Sequence, residues 1–464
     1  MSEIIASVSG VRGIIGDNLT PSNITKFVSA FAEYCKKEHK GRKIRIAVGR
    51  DGRSRGEIIA GIVINNLLLS GFEVTDIGIA PTPTVQLATE NLKCAGGISI
   101  TASHNPQIWN GLKFLNSDGT FLDEHQVGEF LKIADKGNFR FAEIDKLKSL
   151  ISDDTWINKH IDKVLELKII DVVKIRKRKF KVVVDAVNSS GSVIVPLLLE
   201  KLGCKVIKLF CDGSGIFPHT PEPIPENLKL LSNAVKNHKA DLGISVDPDA
   251  DRLVMITDKG EPFSEENTIT AVVKYVLRKT SKGKNATVNL STTRAVDDVA
   301  AEFGSKVYRS PVGEINVVKE MMRNKSVIGG EGSGGVIYPE LHYGRDSIIG
   351  IALALSEFAD FGGTVSEYKK SLPAYFITKA KIENVKDPEK VLSKIEKQFS
   401  SEKDVMKIRK TDGIKIDFKD YWVHLRKSNT EPILRIITEA KDIAEADKVQ
   451  TYFLKLIRKL LKQK

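Results

Sequence analysis

The chain has 464 residues, of which 41% are hydrophobic and 28% charged, and its 71 Lys and Arg against 59 Asp and Glu give a net charge of +12. At about 100 to 200 residues per domain, this length predicts three or four domains with their own cores, and the composition excludes disordered and collagen-like chains. The basic balance favours anionic partners. Because no nucleic-acid-binding module is recognisable, we expect small phosphorylated ligands and no nucleic acid.

The sequence carries no signal for export or membrane insertion. Its best apolar stretch, 58–64, ends at Asn65 and Asn66 and is far shorter than the roughly 18 to 20 residues that span a bilayer. The N-terminus lacks the basic and apolar regions of a secretory signal. Four cysteines without CxxC spacing indicate reduced thiols, so we expect a cytoplasmic protein without a membrane partner.

Strand, loop and helix alternate in three rounds over the first three quarters of the chain. The predicted strands lie at 43–48, 72–79, 97–100, 182–185, 286–290, 307 and 326–328. The predicted helices lie at 58–67, 84–92, 193–202, 294–303 and 314–322. A basic run at 174–179 separates the first two rounds, and we interpret it as a linker or solvated turn. This alternation predicts three similar α/β domains with mixed, largely parallel sheets.

The last hundred residues have a different pattern. Segments 414–418, 422–425 and 433–438 alternate apolar and polar residues, and a final helix from 443 has one apolar stripe. Short connections and one polar face are typical of antiparallel strands, so we expect a small C-terminal α+β domain. The predicted domains are therefore 1–150, 151–254, 255–369 and 370–464.

Two polar loops that follow predicted strands contain reactive groups. Ser103, in Thr-Ala-Ser-His-Asn-Pro, is a candidate nucleophile because open α/β sheets bind ligands where strands end, although a turn serine is the simpler interpretation. Asp247, Asp249 and Asp251, in Asp-Pro-Asp-Ala-Asp-Arg, would repel one another without a cation. Their oxygens are the hard ligands that Mg²⁺ prefers, and Arg252 suits phosphate; a solvated acidic turn is the alternative.

Two further loops offer groups for a sugar phosphate. The glycine-rich segment 329–335 carries Glu331 and Ser333, which suit a polyol, although a simple glycine turn remains open. Segment 426–432, Arg-Lys-Ser-Asn-Thr-Glu-Pro, collects a guanidinium, hydroxyls and an amide that suit phosphate, and a surface hairpin turn is its alternative. The four loops together predict phosphoryl transfer on a sugar phosphate.

At these motifs the chain resembles the α-D-phosphohexomutase superfamily, which includes phosphoglucomutase, phosphomannomutase and phosphoglucosamine mutase. The motifs TASHNP, DPDADR, GEGSGG and RKSNTEP occur in the family's domain order over nearly the whole chain. The resemblance implies four domains around a central cleft and interconversion of hexose 1-phosphate and hexose 6-phosphate. Ser103 would carry the phosphoryl group, and a bisphosphosugar would form and turn over in the cleft. Hexose 1,6-bisphosphate would then serve as intermediate and activator.

The resemblance also implies roles for individual residues. Mg²⁺ would be held by Asp247, Asp249, Asp251 and the phosphorylated Ser103. Lys113 would be the general acid/base, which requires a lowered pKa. The other residues implied are Arg12 at the cleft, His104 and Arg252 beside the phosphoserine, Glu331 and Ser333 on the sugar hydroxyls, and Arg426, Ser428, Asn429 and Thr430 on the phosphate that is not reacting.

The preferred sugar is less well determined by sequence. Gly335 stands where many family members have histidine, and Gly332 where many have a larger residue. The segments 288–291 and 312–314 favour glucosamine phosphate, since Glu314 would pair with a 2-ammonium group, although the helix dipole equally explains a glutamate there. Asn429 instead favours the mannose and glucose enzymes. We lean to glucosamine phosphate.

Two other classes of function stay open. A metal-dependent serine phosphatase would share the serine and the carboxylates, but we find no additional Asp/His cluster for water activation. A non-catalytic sugar-phosphate-binding protein would not require a nucleophile. Both a monomer and a homodimer are compatible with the sequence.

Overall fold

The structure is a computed structural model that describes residues 4–39, 44–427 and 433–462. The first α/β domain contains a sheet of order β1-β2-β6-β5-β3-β4-β7. Strands β3, β4, β5 and β7 are parallel, whereas β1, β2 and β6 are antiparallel to their neighbours. Its elements are β1 (Ile5–Ser7), β2 (Gly10–Ile14), α1 (Pro21–Glu38), β3 (Arg45–Arg50), α2 (Gly56–Leu69), β4 (Glu73–Ile79), α3 (Thr82–Asn91), β5 (Gly96–Ile100), β6 (Trp109–Leu115), α4 (Glu124–Lys136) and β7 (Leu150–Ser152).

The second α/β domain has a sheet of order β11-β10-β8-β9, parallel except for β11. The basic run at 174–179 lies mostly in α6, so its interpretation as a linker was wrong. Asp171 caps this helix by accepting a hydrogen bond from the Lys174 N–H. The elements are α5 (Trp156–Glu166), α6 (Val172–Arg178), β8 (Lys181–Asp185), α7 (Gly191–Lys201), β9 (Lys205–Phe210), α8 (Lys229–His238), β10 (Leu242–Val246) and β11 (Leu253–Thr257).

The third α/β domain has a sheet of order β13-β12-β14-β15, parallel except for β15. Segment 329–335, expected as a loop, is a β-hairpin, because Gly329–Glu331 lie in β14 and Gly335 begins β15. The elements are α9 (Glu265–Lys279), β12 (Ala286–Asn289), α10 (Ala295–Glu302), β13 (Val307–Ser310), α11 (Glu314–Asn324), β14 (Ile328–Glu331), β15 (Gly335–Ile337), α12 (Ser347–Phe361) and α13 (Val365–Ser371).

The C-terminal domain is an antiparallel sheet of order β16-β20-β19-β18-β17 with two helices. The sequence patterns predicted three of its strands and the last helix, and missed β16, β17 and α14. Its elements are β16 (Phe376–Glu383), α14 (Pro388–Phe399), β17 (Val405–Arg409), β18 (Ile414–Phe418), β19 (Tyr421–Lys427), β20 (Ile433–Ala440) and α15 (Ile443–Lys462). The expected fold class, three α/β domains and an α+β domain, is confirmed.

The apolar cores show which domains pack as one body. One continuous core joins the second and third α/β domains through α5, α7, α9 and α12. A smaller cluster joins the first domain to the third across α3 and α11, whereas the C-terminal domain has its own separate core. The first three domains are therefore held together by buried apolar contacts.

In the described residues, no single helix combines the length and apolarity needed to cross a bilayer, and only the pair α12 and α13, bent by 87°, passes that test jointly. The four cysteines are free thiols.

Candidate active site

Ser103 lies just beyond the end of β5 in a conformation that its neighbours impose. Its φ of 50° is in the left-handed region, which a serine rarely adopts. Its N–H donates to Thr101 Oγ1 (2.8 Å), and its own Oγ donates to Asp247 Oδ2 (3.0 Å). The side chain is therefore aimed from the first domain at the acidic loop of the second.

Arg53 supports the serine loop through its backbone carbonyls and was missed by sequence reasoning. Its guanidinium is buried and donates to the carbonyls of Ser103 (2.5 Å), Asn105 (2.7 Å) and Pro106 (2.8 Å). Asp51, at the end of β3, balances its charge at 3.0 Å. The signal that could have found it is its place at the carboxyl end of a parallel strand, where open α/β sheets bind ligands.

The three aspartates lie between β10 and β11 and are fully buried. One carboxylate oxygen from each lies within 4.8 Å of the others. Oδ1 of Asp249 and Oδ1 of Asp251 are buried without a hydrogen-bond partner in the described part of the chain. Burial and the two neighbouring carboxylates raise the pKa of Asp247 well above its usual range. Buried, unpartnered, mutually repelling oxygens beside a serine hydroxyl fit a hard divalent cation such as Mg²⁺.

Lys113 reaches the same carboxylates from β6. Its Nζ lies 2.5 Å from Asp249 Oδ2 and 3.0 Å from Asp251 Oδ2. Burial opposes its charged form, but the attraction of these two carboxylates outweighs burial and raises its pKa. Arg12 also opposes the charged form, but the two carboxylates outweigh it, so the lowered pKa implied by the resemblance is not found in this arrangement.

Three further predicted residues surround Ser103. Arg12, on β2, donates to Asn105 Oδ1 (3.2 Å), and Arg252 Nε lies 4.0 Å from Asp247 and 3.9 Å from Asp251. His104 Nδ1 is 3.4 Å from Ser103 Oγ. The charge of Arg252, followed by burial, lowers the pKa of His104 to about 2, so its imidazole is neutral. Nε of Arg12 and Nε of Arg252 are buried and form no hydrogen bond with the described residues, as expected of groups that bind an anion.

Arg345, between β15 and α12, connects the acidic loop 247–251 to the glycine-rich hairpin 329–335 and was missed by sequence reasoning. Its guanidinium contacts Asp251 (2.8 Å), Glu331 (2.8 Å) and Glu314 (3.1 Å). A Cβ built on Gly335 would lie 2.2 Å from Arg345 Cδ, so this glycine provides the room for the arginine. A buried arginine among three carboxylates has no local sequence signal beyond its polar context.

Glu314 and Glu331 therefore both form buried ion pairs with Arg345. Glu314 also accepts a hydrogen bond from Gln86 Nε2 (3.1 Å). The carboxylate expected to pair with a 2-ammonium group is therefore already paired with Arg345. Glu331 accepts from Asn289 Nδ2 (2.8 Å) and the Gly313 N–H (2.9 Å). Burial opposes ionisation of Glu331, but Arg345 and these donors lower its pKa. Ser333 lines the same cavity.

The C-terminal domain contributes basic residues to the opposite wall. Arg426, on β19, lies beside Asp412 (Nε to Oδ2, 3.2 Å) and directly opposite Arg435 on β20. Lys379, on β16, also lines the cavity. Like charges placed opposite one another are unfavourable without an anion, so these residues fit a phosphate. Sequence reasoning missed Arg435 and Lys379, and the predicted Ser428, Asn429 and Thr430 lie outside the described residues.

One cavity of about 660 Å³ joins these groups. Its walls come from all four domains and include Ser103, Lys113, Arg252, Ser333 and Arg426. A second cavity of about 600 Å³, beside segment 168–173 and α9, contains none of the predicted site residues. The central cleft implied by the resemblance thus lies where the serine loop, Arg252, the glycine-rich hairpin and Arg426 meet.

Four domain families match the chain in succession. They are phosphoglucomutase/phosphomannomutase alpha/beta/alpha domains I, II and III and the C-terminal domain, at residues 4–141, 158–260, 264–376 and 378–456. The chain belongs to the phosphoglucomutase/phosphomannomutase family. The resemblance inferred from the motifs is confirmed, and the expected boundaries after residues 150, 254 and 369 stay predictions.

Three similar proteins match nearly the whole length of the chain. A phosphoglucomutase/phosphomannomutase of Thermococcus kodakarensis is 38% identical over 454 residues, 98% of each chain. A probable phosphoglucosamine mutase of Methanopyrus kandleri is 33% identical over 460 residues, also 98% of each. The crystal structure of a phosphoglucomutase/phosphomannomutase family protein from Burkholderia thailandensis has a TM-score of 0.84 at 25% identity and covers 98% of each chain. The protein is a phosphohexomutase, an isomerase that acts by intramolecular phosphoryl transfer.

Proposed function

We propose that the protein interconverts hexose 1-phosphate and hexose 6-phosphate through a phosphoserine at Ser103 and a bisphosphosugar intermediate. The observation that carries this proposal is the 3.0 Å contact between Ser103 Oγ and Asp247 beside a cavity that Arg426 also lines. A nucleophile from the first domain and a basic wall from the C-terminal domain suit a substrate that carries phosphate at either end.

In the first half-reaction, the bond between phosphorus and Ser103 Oγ breaks as a sugar hydroxyl oxygen bonds to phosphorus; the hydroxyl proton leaves to a base, and Ser103 Oγ takes up a proton. The intermediate then turns over, and its other phosphoryl group returns to Ser103, whose hydroxyl gives up its proton while the sugar oxygen regains one. Mg²⁺, held by the three aspartates and an oxygen at Ser103, would neutralise charge on the transferring group. Glu331 and Ser333 would hold sugar hydroxyls throughout.

Lys113 is our candidate for the proton transfers. It is buried and faces the cavity beside Ser103. Its raised pKa suits the half-reaction in which it donates a proton to the departing sugar oxygen. Arg12 and Arg252 would bind the reacting phosphoryl group, and Arg426, Arg435 and Lys379 the other phosphate.

For the substrate, we favour glucosamine phosphate over glucose and mannose phosphates. The names of the relatives divide between phosphoglucosamine mutase and phosphoglucomutase/phosphomannomutase. Rates with the 1- and 6-phosphates of glucosamine, glucose and mannose, under identical Mg²⁺ and bisphosphate activator, decide between them. We further propose that the enzyme works in the cytoplasm as a monomer or homodimer.

The proposed intermediate predicts one phosphoryl group on Ser103. After treatment with a hexose 1,6-bisphosphate and Mg²⁺, peptide mass spectrometry should find it there. Ser103→Ala should lower the mutase rate by about 10⁴-fold or more, because the displacement loses its nucleophile.

The exposed Ser401→Ala serves as the control and should retain the wild-type rate. Active enzyme that is never modified at Ser103 would refute the proposal. Release of inorganic phosphate without isomerisation would instead identify a phosphatase.

A further inference from the structure

Glu266 places a carboxylate in the cavity that the proposed chemistry leaves unused. It lies in the first turn of α9, and its side chain lines the cavity. Its Oε2 accepts a hydrogen bond from the Thr293 N–H (2.8 Å). Within the described ranges it forms no ion pair, in contrast to Glu314 and Glu331, which share Arg345.

The sugar-binding hairpin is shaped around this carboxylate. A Cβ built on Gly332 would lie 2.1 Å from Glu266 Oε1 and 2.4 Å from Oε2. The carboxylate therefore occupies the space that any side chain at position 332 would need. Gly332 stands between Glu331 and Ser333, the two residues proposed to hold sugar hydroxyls. Because Gly332 has no side chain, the Glu266 carboxylate lies beside Glu331 and Ser333 as a third polar group.

The charge of this carboxyl depends on its partner. Burial raises the pKa of Glu266 to about 8, against the opposing influence of Lys379, so without a cationic partner the group is largely protonated at neutral pH. An ammonium group in hydrogen-bond contact would stabilise the ionised form, whereas a neutral hydroxyl supplies no charge. Glu222 is another glutamate on the cavity wall, but it belongs to the segment between β9 and α8 and not to the hairpin.

We propose that Glu266 determines sugar specificity by accepting hydrogen bonds from the ammonium group of an amino-sugar phosphate. Gly332 makes this contact possible by leaving the space open. This inference rests on the proposed function and assigns the recognition of the amino group to Glu266 instead of the engaged Glu314.

The test measures kcat/KM for glucosamine 6-phosphate and glucose 6-phosphate with the full-length protein. Glu266→Gln should lower the ratio of the two values by about 10- to 100-fold, since a charge-assisted hydrogen bond is lost. Gly332→Ala keeps the carboxylate but displaces it, and should lower the ratio in the same direction. Glu265→Gln, on the same helical turn but not on the cavity wall, should leave the ratio within threefold.

Other outcomes overturn the proposal. Equal losses with both sugars would make Glu266 a structural residue, and an unchanged ratio would remove it from recognition. A changed ratio in Glu222→Gln and not in Glu266→Gln would assign the role elsewhere. If the wild type isomerises neither sugar, the proposed function fails, and calorimetric binding of the two sugar phosphates to wild type and Glu266→Gln tests the recognition by itself.

Discussion

Arg345 is the residue on which the charge balance of the cleft depends. The acidic loop, the hairpin and α11 each present a buried carboxylate to it. These contacts hold the pKa of Asp251 below its usual range although burial opposes ionisation, and raise that of Arg345. A buried ion pair is costly to break, because the partner left behind stays buried and charged.

Arg345→Met should therefore lower the free energy of unfolding by about 3 kcal/mol or more, as expected for removal of one partner from a buried ion pair. Urea denaturation measures this loss. Arg323→Met is the matched control, because the Arg323 side chain is 79% exposed and, among the described residues, its one ion pair is with Glu320 on its own helix. The Arg323→Met variant should lose less than about 1 kcal/mol of the free energy of unfolding. Equal losses in the two variants would contradict the role assigned to Arg345.

At the scale of elements, the N-terminus of α12 ties three domains together. Asp346 caps the helix by accepting from the Ile348 N–H, and its other oxygen lies 2.9 Å from His160 Nε2 and 3.2 Å from His342 Nε2. His160, on α5, is also hydrogen-bonded through its Nδ1 to the Thr84 hydroxyl on α3 (2.9 Å). Asp346, the residue after Arg345, thereby fixes the start of α12 against the other two domains.

Asp346→Ala should lower the free energy of unfolding by about 3 kcal/mol. It removes a helix cap worth about 1 kcal/mol and leaves two buried histidines without their hydrogen-bond acceptor. Asp387→Ala is the matched control. Asp387 caps α14 through the Lys390 N–H, and no buried histidine contacts it in the described structure. Its loss should cost only about 1 kcal/mol. Thermal unfolding of both variants checks the difference, and similar losses would show that α12 is merely capped.

For the whole molecule, the C-terminal domain is attached in a different way from the others. Its core is separate, and polar contacts join it to the third domain. Lys415 Nζ donates to the Leu290 carbonyl (2.7 Å), and His424 bonds Ser291 Oγ (2.9 Å) and the Asp412 carbonyl (2.6 Å). A carbonyl only accepts, so His424 Nε2 carries the proton and its Nδ1 accepts from Ser291. Protonation of Nδ1 would turn it into a donor to the Ser291 hydroxyl and place a positive charge in this buried interface.

This interface should weaken in acid. Burial lowers the pKa of His424 to about 4, below the usual value of about 6.5. Its contribution to stability is therefore complete above pH 6.5 and is lost as the pH falls towards 4. The loss at pH 5 is about 2 kcal/mol.

Unfolding by urea at pH 7.5 and pH 5 tests this in wild type and His424→Gln. The variant should lose less stability on acidification. Burial also lowers the pKa of Lys415, to about 7, but both proteins contain this lysine. An identical pH dependence in the two would contradict the assignment.

The fold class, the family and the polar loops of Ser103 and of the three aspartates could be predicted from sequence, because strand and helix periods and loop composition are local properties. The same local patterns singled out Glu331 and Arg426, although segment 329–335 is a hairpin and not a loop. What only the tertiary structure decided is which groups face one another: the pairing of Arg345 with three carboxylates, the support of Ser103 by Arg53, the raised pKa of Lys113, and the place of Glu266 against Gly332. Burial and charge act between segments that are far apart in the chain, so no local pattern contains them.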